Sequence, residues 1–216
     1  MSISTLGVKV ENLWANYKSL LYKYFPNHYR TNRWGYWKGK DTTLIAETFG
    51  HEYWIKSRAV DITSEKSNIY NNIIYPKTGE NLPCFGMDLM GFFDKKVIVV
   101  FDFQHPTENL LFGVEGLPKG KGDYRFFEPG NHFSENIYIA YCTADEVDDH
   151  LPMFEKYLPA YTDMVYCKSP TGVDTSVYSD FDKYMRKLDP VGGYLSGKFG
   201  KQRSERLVNE FLFGYG

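Results

Sequence analysis

The sequence predicts an α+β fold in which helices cover a central antiparallel sheet, and three features predict it. A helix-period segment opens the chain, period-two segments run from about residue 34 to residue 142, and helix-period segments close it. The period-two segments are joined by short connections, so they pair as hairpins, because parallel pairing would need a helix between each pair. The length of 216 residues suits one large core and nothing in it forces a second, so a single domain over 1–216 is expected.

In the first helix, Leu13, Trp14, Tyr17, Leu20, Leu21 and Tyr24 recur at helical spacing, and Pro26 ends it. Strands are expected over 34–37, 43–48, 51–60 and 69–75, followed by a pair within 82–104 that turns at Phe93, Asp94 and Lys95. Residues 106–130 mix Gly, Pro, Lys and Glu and read as a loop over the sheet, with 137–142 returning as one more strand. Thr143 and Glu146 have capping-box spacing ahead of a helical stripe of Val147, Leu151, Phe154, Leu158 and Tyr161. Pro152 either bends that helix or marks its true start. A further helix is expected over 174–188. Asp189 followed by Pro190 then reads as a cap and first helical position for a short helix ending near Phe199 and Gly200. Leu207, Val208, Phe211 and Leu212 mark the last helix.

The stretch 82–104 carries the chemistry. Alternation puts Cys84, Gly86, Asp88 and Met90 on one face and Phe85, Met87, Leu89 and Gly91 on the other. A carboxylate beside a glycine on an apolar face is either the floor of a pocket, with Gly86 leaving room for something flat, or a strand residue turned to water. Asp102, which shares a face with Val100 and Gln104, is the next carboxylate to consider, and a surface position is the simpler reading for it.

A net charge of -2 gives no reason to expect nucleic acid or an anionic membrane, and no apolar run approaches membrane-spanning length. The N-terminus has no signal-peptide or transit-peptide character, and Cys84, Cys142 and Cys167 form neither a paired framework nor a zinc spacing, so a reduced, cytoplasmic setting is expected. The 18% aromatic content suits a large planar ligand, although strands also enrich such residues. There is no Gly-x-Ser-x-Gly elbow, Walker loop or Gly-x-Gly-x-x-Gly after a strand, and the five histidines are not spaced as metal ligands. His105 has two readings, a haem ligand or a cap on its own backbone. Lys198, Lys201, Arg203 and Arg206 form a basic cluster, either a solvated face or a receiver of carboxylates or an acidic partner.

The runs Ile-Tyr-Pro-Lys-Thr-Gly-Glu-Asn-Leu-Pro-Cys-Phe-Gly-Met-Asp-Leu-Met at 74–90 and Val-Val-Phe-Asp-Phe-Gln-His-Pro at 99–106 resemble the ferredoxin-dependent bilin reductases. Arg-Phe-Phe-Glu-Pro-Gly-Asn-His-Phe-Ser at 125–134, Val-Tyr-Ser-Asp-Phe-Asp at 177–182 and Leu-Asp-Pro at 188–190 extend the likeness, which is strongest to the cyanophage-associated, phycoerythrobilin-forming members. The resemblance implies a three-layer α/β/α sandwich that binds biliverdin IXα between the sheet and the C-terminal helices. It implies no bound metal or flavin, single electrons from reduced ferredoxin, and a radical mechanism in which the protein supplies protons. It places the essential acids at Asp88 and Asp189 and substrate contacts at Asn71, Gly86, Met87 and Arg203. Asn71 stands where phycocyanobilin-forming members have His, which argues against that product. The implied activity is a four-electron reduction of biliverdin IXα through 15,16-dihydrobiliverdin to phycoerythrobilin, by a monomer in the cytoplasm of a bacterial or phage-infected cell. The alternatives are a two-electron reductase that stops at 15,16-dihydrobiliverdin and a non-catalytic bilin carrier. Lys198, Lys201 and Arg203 are the expected ferredoxin contacts.

Overall fold

The structure is a computed structural model and describes residues 5–77, 82–93, 96–121, 127–168, 175–188 and 190–214. Helix α1 (Thr5–Tyr24) precedes strands β1 (Tyr29–Lys38), β2 (Thr42–His51), β3 (Trp54–Ser64), β4 (Ser67–Pro76), β5 (Cys84–Phe92), β6 (Lys96–Gln104) and β7 (Tyr138–Cys142). These form one sheet in sequential order, with every neighbouring pair antiparallel, so the meander read from the short connections is present.

Two strand limits differ from expectation. β1 begins at Tyr29, five residues before the expected start, because register shifts between Arg30 and Asn32 and between Arg33 and Gly35 break the period-two pattern there. Residues 51–60 are not one strand: a turn at Glu52 and Tyr53 leaves His51 at the end of β2, opposite Trp54 of β3. The expected turn residues Asp94 and Lys95 lie outside the described residues.

Past β7 the Thr143–Glu146 box is present, with the Thr143 N–H donating to the Glu146 carboxylate at 2.8 Å. It opens a 3-10 turn (Ala144–His150), and α2 (Leu151–Tyr166) starts with Pro152 in its first turn, where no intrahelical N–H is needed. The second reading of Pro152 is therefore the right one. A 3-10 turn (Thr175–Tyr178) leads into α3 (Ser179–Leu188), then α4 (Val191–Phe199) and α5 (Lys201–Arg206), which runs on into a wider π-type turn (Leu207–Leu212). Pro190 caps α4, one position outside its expected place, and its carbonyl accepts from the Gly193 and Tyr194 N–H groups. Gly200, at φ +85°, separates α4 from α5 in a conformation that favours glycine.

The sheet is covered on both faces, as expected of an α/β/α sandwich. On one side Val10, Leu13, Trp14 and Tyr17 of α1, and Phe154, Leu158 and Tyr161 of α2, pack on Phe85, Met87, Leu89 and Phe101. Much of the aromatic content is used here: Trp14 stacks on Tyr17 and Tyr70, Phe101 on Tyr138, and Phe103 on Tyr157. That packing, rather than a planar ligand, accounts for these rings. On the other side Leu195, Leu207 and Phe211 of the C-terminal helices face Leu44, Val60 and Ile73.

Candidate active site

The C-terminal helices leave a cavity of about 290 Å³ over the second face of the sheet. Strand register builds its floor as two rows that run across the sheet. Val60, Asn71, Asp88, Val100 and Ile139 are successive partners in the first row, and Ile62, Ile69, Met90, Ile98 and Tyr141 in the second. Val191, Tyr194 and Leu195 of α4, with Leu207, Leu212 and Phe213, form the roof. The roof is tied down: the Tyr194 and Ser67 hydroxyls lie 3.3 Å apart, and Ser204 Oγ donates to the Gly192 carbonyl at 2.8 Å. Tyr141, 52% exposed, puts the β7 end of the cavity at the protein surface.

Among the described lining residues, Asp88 carries the one carboxyl group, and it is half-buried in an otherwise largely apolar site. The pocket-floor reading of Asp88 therefore holds. Asn71 Nδ2 donates to Asp88 Oδ1 at 2.8 Å, while Asn71 Oδ1 accepts from Arg58 Nη1 at 2.5 Å. A cation, an amide and a carboxyl group thus form one line running from the buried sheet into the cavity.

Arg58 belongs to a second polar group farther along the same face. It is 2% exposed, its guanidinium lies 5.2 Å over the Phe213 ring, and it faces the buried Asp182 of α3. Burial pushes the Asp182 carboxyl up to about 6, against the opposing pull of Arg58, of the Tyr75 hydroxyl that donates to it at 3.0 Å, and of Lys56. Burial likewise brings Lys56 down to about 8, and it pushes the Cys84 thiol up. Sequence reasoning passed over Arg58 and Asp182. The signal for the first was a basic residue alternating with Val60 and Ile62; for the second it was an acid next to the Phe181–Met185 stripe.

The other expected sites divide. Gly86 shares the Asp88 face, but the end of the Gln104 side chain occupies the gap beside it: an added Cβ would lie 2.5 Å from Gln104 Nε2. Met87 points to the opposite face and is 1% exposed in the α1/α2 core, so its side chain is not a cavity contact. Alternation along β5 makes the two placements of Met87 and Asp88 mutually exclusive. Asp102 is not a surface residue: it is 1% exposed and accepts from the Ser134 N–H at 2.9 Å and from the Ser134 hydroxyl. Burial pushes its carboxyl well above the ordinary range. Asp189 lies outside the described residues.

Arg203 is exposed and does not line the cavity. Its neighbours in the basic cluster are locally paired: Lys198 with Asp41 at 3.2 Å, Lys201 with Glu205 at 3.7 Å and Arg206 with Glu210 at 2.9 Å. His105 caps backbone, its Nδ1 accepting from the Thr107 N–H at 3.0 Å, which is the second of its two readings. Among the described residues no three His, Cys, Asp or Glu side chains converge as metal ligands, and no helix is long and apolar enough to cross a membrane.

A family model for ferredoxin-dependent bilin reductase matches residues 32–214 of the chain. Relatives from Gloeobacter violaceus and Nostoc punctiforme, each a 15,16-dihydrobiliverdin:ferredoxin oxidoreductase, are 27% identical to it. The alignments cover 69% of this chain and 69% of each relative. Among solved structures, tomato phytochromobilin synthase in complex with biliverdin superposes with a TM-score of 0.71 at 14% identity, covering 95% of this chain and 83% of that one.

Proposed function

The chain belongs to the ferredoxin-dependent bilin reductase family, and from that premise we propose that it reduces biliverdin IXα by four electrons, through 15,16-dihydrobiliverdin, to phycoerythrobilin. The observation that carries the reading is the Asn71–Asp88 pair on the floor of an apolar cavity. Reduction of a conjugated double bond takes up as many protons as electrons. A carboxyl group in apolar surroundings can hold a proton near neutral pH and give it up to a bound ligand, whereas an amide cannot. Asp88 is therefore the proton donor of this row, and Asn71 is its hydrogen-bond partner.

Electrons arrive one at a time from reduced ferredoxin, so the reaction passes through bilin radicals, and the protein brings no flavin or metal of its own. Asp189, matched to the second essential acid by the resemblance, is assigned the second reduction. Arg203, exposed and without an ion pair among the described residues, and Lys198 and Lys201 beside it, form the proposed ferredoxin contact; the pairing of Lys198 and Lys201 with local acids makes that contact weaker than the sequence cluster suggests. The likeness to cyanophage-associated members supports a monomer working in the cytoplasm of a bacterial or phage-infected cell.

One observation favours a shorter reaction: the relatives reported above are 15,16-dihydrobiliverdin:ferredoxin oxidoreductases. An anaerobic time course with reduced ferredoxin and biliverdin, with the products separated, decides between the two. Transient 15,16-dihydrobiliverdin followed by phycoerythrobilin is expected. Arrest at 15,16-dihydrobiliverdin would leave the two-electron reaction, and binding with no change in the absorption bands would leave a carrier.

A further inference from the structure

We propose that Arg58 is a positioning residue for the proton donor: it locks the Asn71 amide in the orientation that donates to Asp88, and so fixes which Asp88 oxygen carries the proton. This rests on the reading of Asp88 as the acid. A guanidinium has N–H donors and no acceptor, so the Asn71 atom 2.5 Å from Arg58 Nη1 is its carbonyl oxygen. The opposite end of the amide is then the NH2 group, which reaches Asp88 Oδ1 at 2.8 Å and the Met87 carbonyl at 3.4 Å. An asparagine not held in this way can turn its amide over and offer its oxygen to Asp88. The carboxyl proton would then sit on Oδ1, directed at Asn71 and away from a ligand. With Arg58 in place Oδ1 is an acceptor, and the proton is carried on Oδ2.

Arg58 is well placed to act as the fixed end of this line. Its side chain is 2% exposed, lies over the Phe213 ring, and is faced by Asp182 of α3, Lys56 of its own strand and Cys84 of β5. Its Nε is buried with no partner among the described residues.

The test is a mutant cycle read by anaerobic single turnover of biliverdin with reduced ferredoxin, with biliverdin affinity from absorbance titration. Arg58→Met combined with Asp182→Asn removes both buried charges together and avoids stranding the acid. Its first reduction is expected to slow by about ten-fold or more, with affinity changed by less than about three-fold. Asn71→Ala is expected to show a similar loss, and adding it to the charge-free pair should cost little more, because both changes break one line. Arg58→Lys, which still only donates, should recover part of the rate. Multiplicative losses, or wild-type turnover in the folded charge-free variant, would overturn the role of Arg58. Should that variant not fold, Asn71→Asp decides: it keeps the Arg58 contact but replaces the donor to Asp88 with an acceptor, so a loss like that of Asn71→Ala is expected and wild-type turnover refutes the lock. Asp88→Asn run alongside separates the two claims. Full turnover in Asp88→Asn defeats the acid itself, whereas an inactive Asp88→Asn with an unimpaired Arg58 variant defeats the lock alone.

Discussion

Asn71 and Asn72 are neighbours on β4 that face opposite sides of one sheet, and their surroundings show what each side is for. Asn72 is 2% exposed and saturated: it accepts from the Tyr17 hydroxyl at 2.7 Å and donates to Ser57 Oγ at 2.9 Å and to the Arg58 carbonyl at 2.8 Å. Those bonds tie α1, β3 and β4 together under a closed aromatic core. Asn71 sits half-buried at a cavity floor and links a buried cation to a carboxyl group that faces the cavity. A polar group with every partner inside the protein stabilises the fold; one that passes a hydrogen bond to a titratable group in a cavity prepares chemistry.

The largest expected effect is on the cavity side. Asp88→Asn keeps the shape of the floor but cannot deliver a proton, so biliverdin should still bind while the first reduction slows by at least about 100-fold. Anaerobic single turnover measures this, and full turnover would remove the distinction between the faces. The converse change on the closed side is Asn72→Ala, which strands the Tyr17 hydroxyl and the Arg58 carbonyl. Chemical denaturation should report a loss of about 2–4 kcal/mol, with turnover per folded molecule nearly unchanged. A rate loss of the size seen at Asp88 would show that the closed face also serves the reaction.

Two glycines on β5 repeat the contrast at smaller scale. A Cβ at Gly91 would meet Val10 Cγ2 of α1 at 2.8 Å, against a packed helix, so Gly91→Ala should cost about 1–3 kcal/mol. At Gly86 the obstacle is the end of the Gln104 side chain, which can swing aside, and Gly86→Ala should cost under about 1 kcal/mol. Equal losses from thermal or denaturant unfolding would mean that the cavity face is as tightly packed there as the helical one.

A pH slope is shared by both faces. Burial lifts the carboxyl of Asp182 on the cavity side, and of Asp61 beside Trp14 on the helical side, to about 6 from an ordinary 3.8. Each folded-state acid holds its proton to higher pH than in the unfolded chain. Their contribution is therefore full below about pH 4 and is lost as pH rises through about 6. Asp182→Asn should remove part of this decline and Asp61→Asn another part, as read from denaturation midpoints across pH 4–7. A decline untouched by either substitution would assign it to other groups.

Local pattern made much of the fold legible. Helical spacing located α1, short connections gave the meander, and Thr143 with Glu146, and Gly200, marked ends that the structure shows where expected. Period-two alternation also put Asp88 on the face that became the cavity floor. The family resemblance, and not the pattern, singled out Asn71. What pattern could not supply was anything that depends on which strand lies alongside. The Gln104 amide fills the gap at Gly86 because β6 pairs with β5 in a register that sets Gln104 opposite Cys84. Asp102 is buried because the loop before β7 brings Ser134 to it. Met87 was expected at the substrate, although the alternation that aimed Asp88 into the cavity turns Met87 away from it.

The sequence by itself determined the order and type of the elements and which side chains of each strand share a face, because helix and strand periods are properties of the local backbone. Only the tertiary structure decided that Arg58, Asn71 and Asp88 form one line. Those residues come from three strands, and their contact depends on pairing registers and on helices closing over the sheet to exclude the water that would otherwise solvate the guanidinium and the carboxyl group separately.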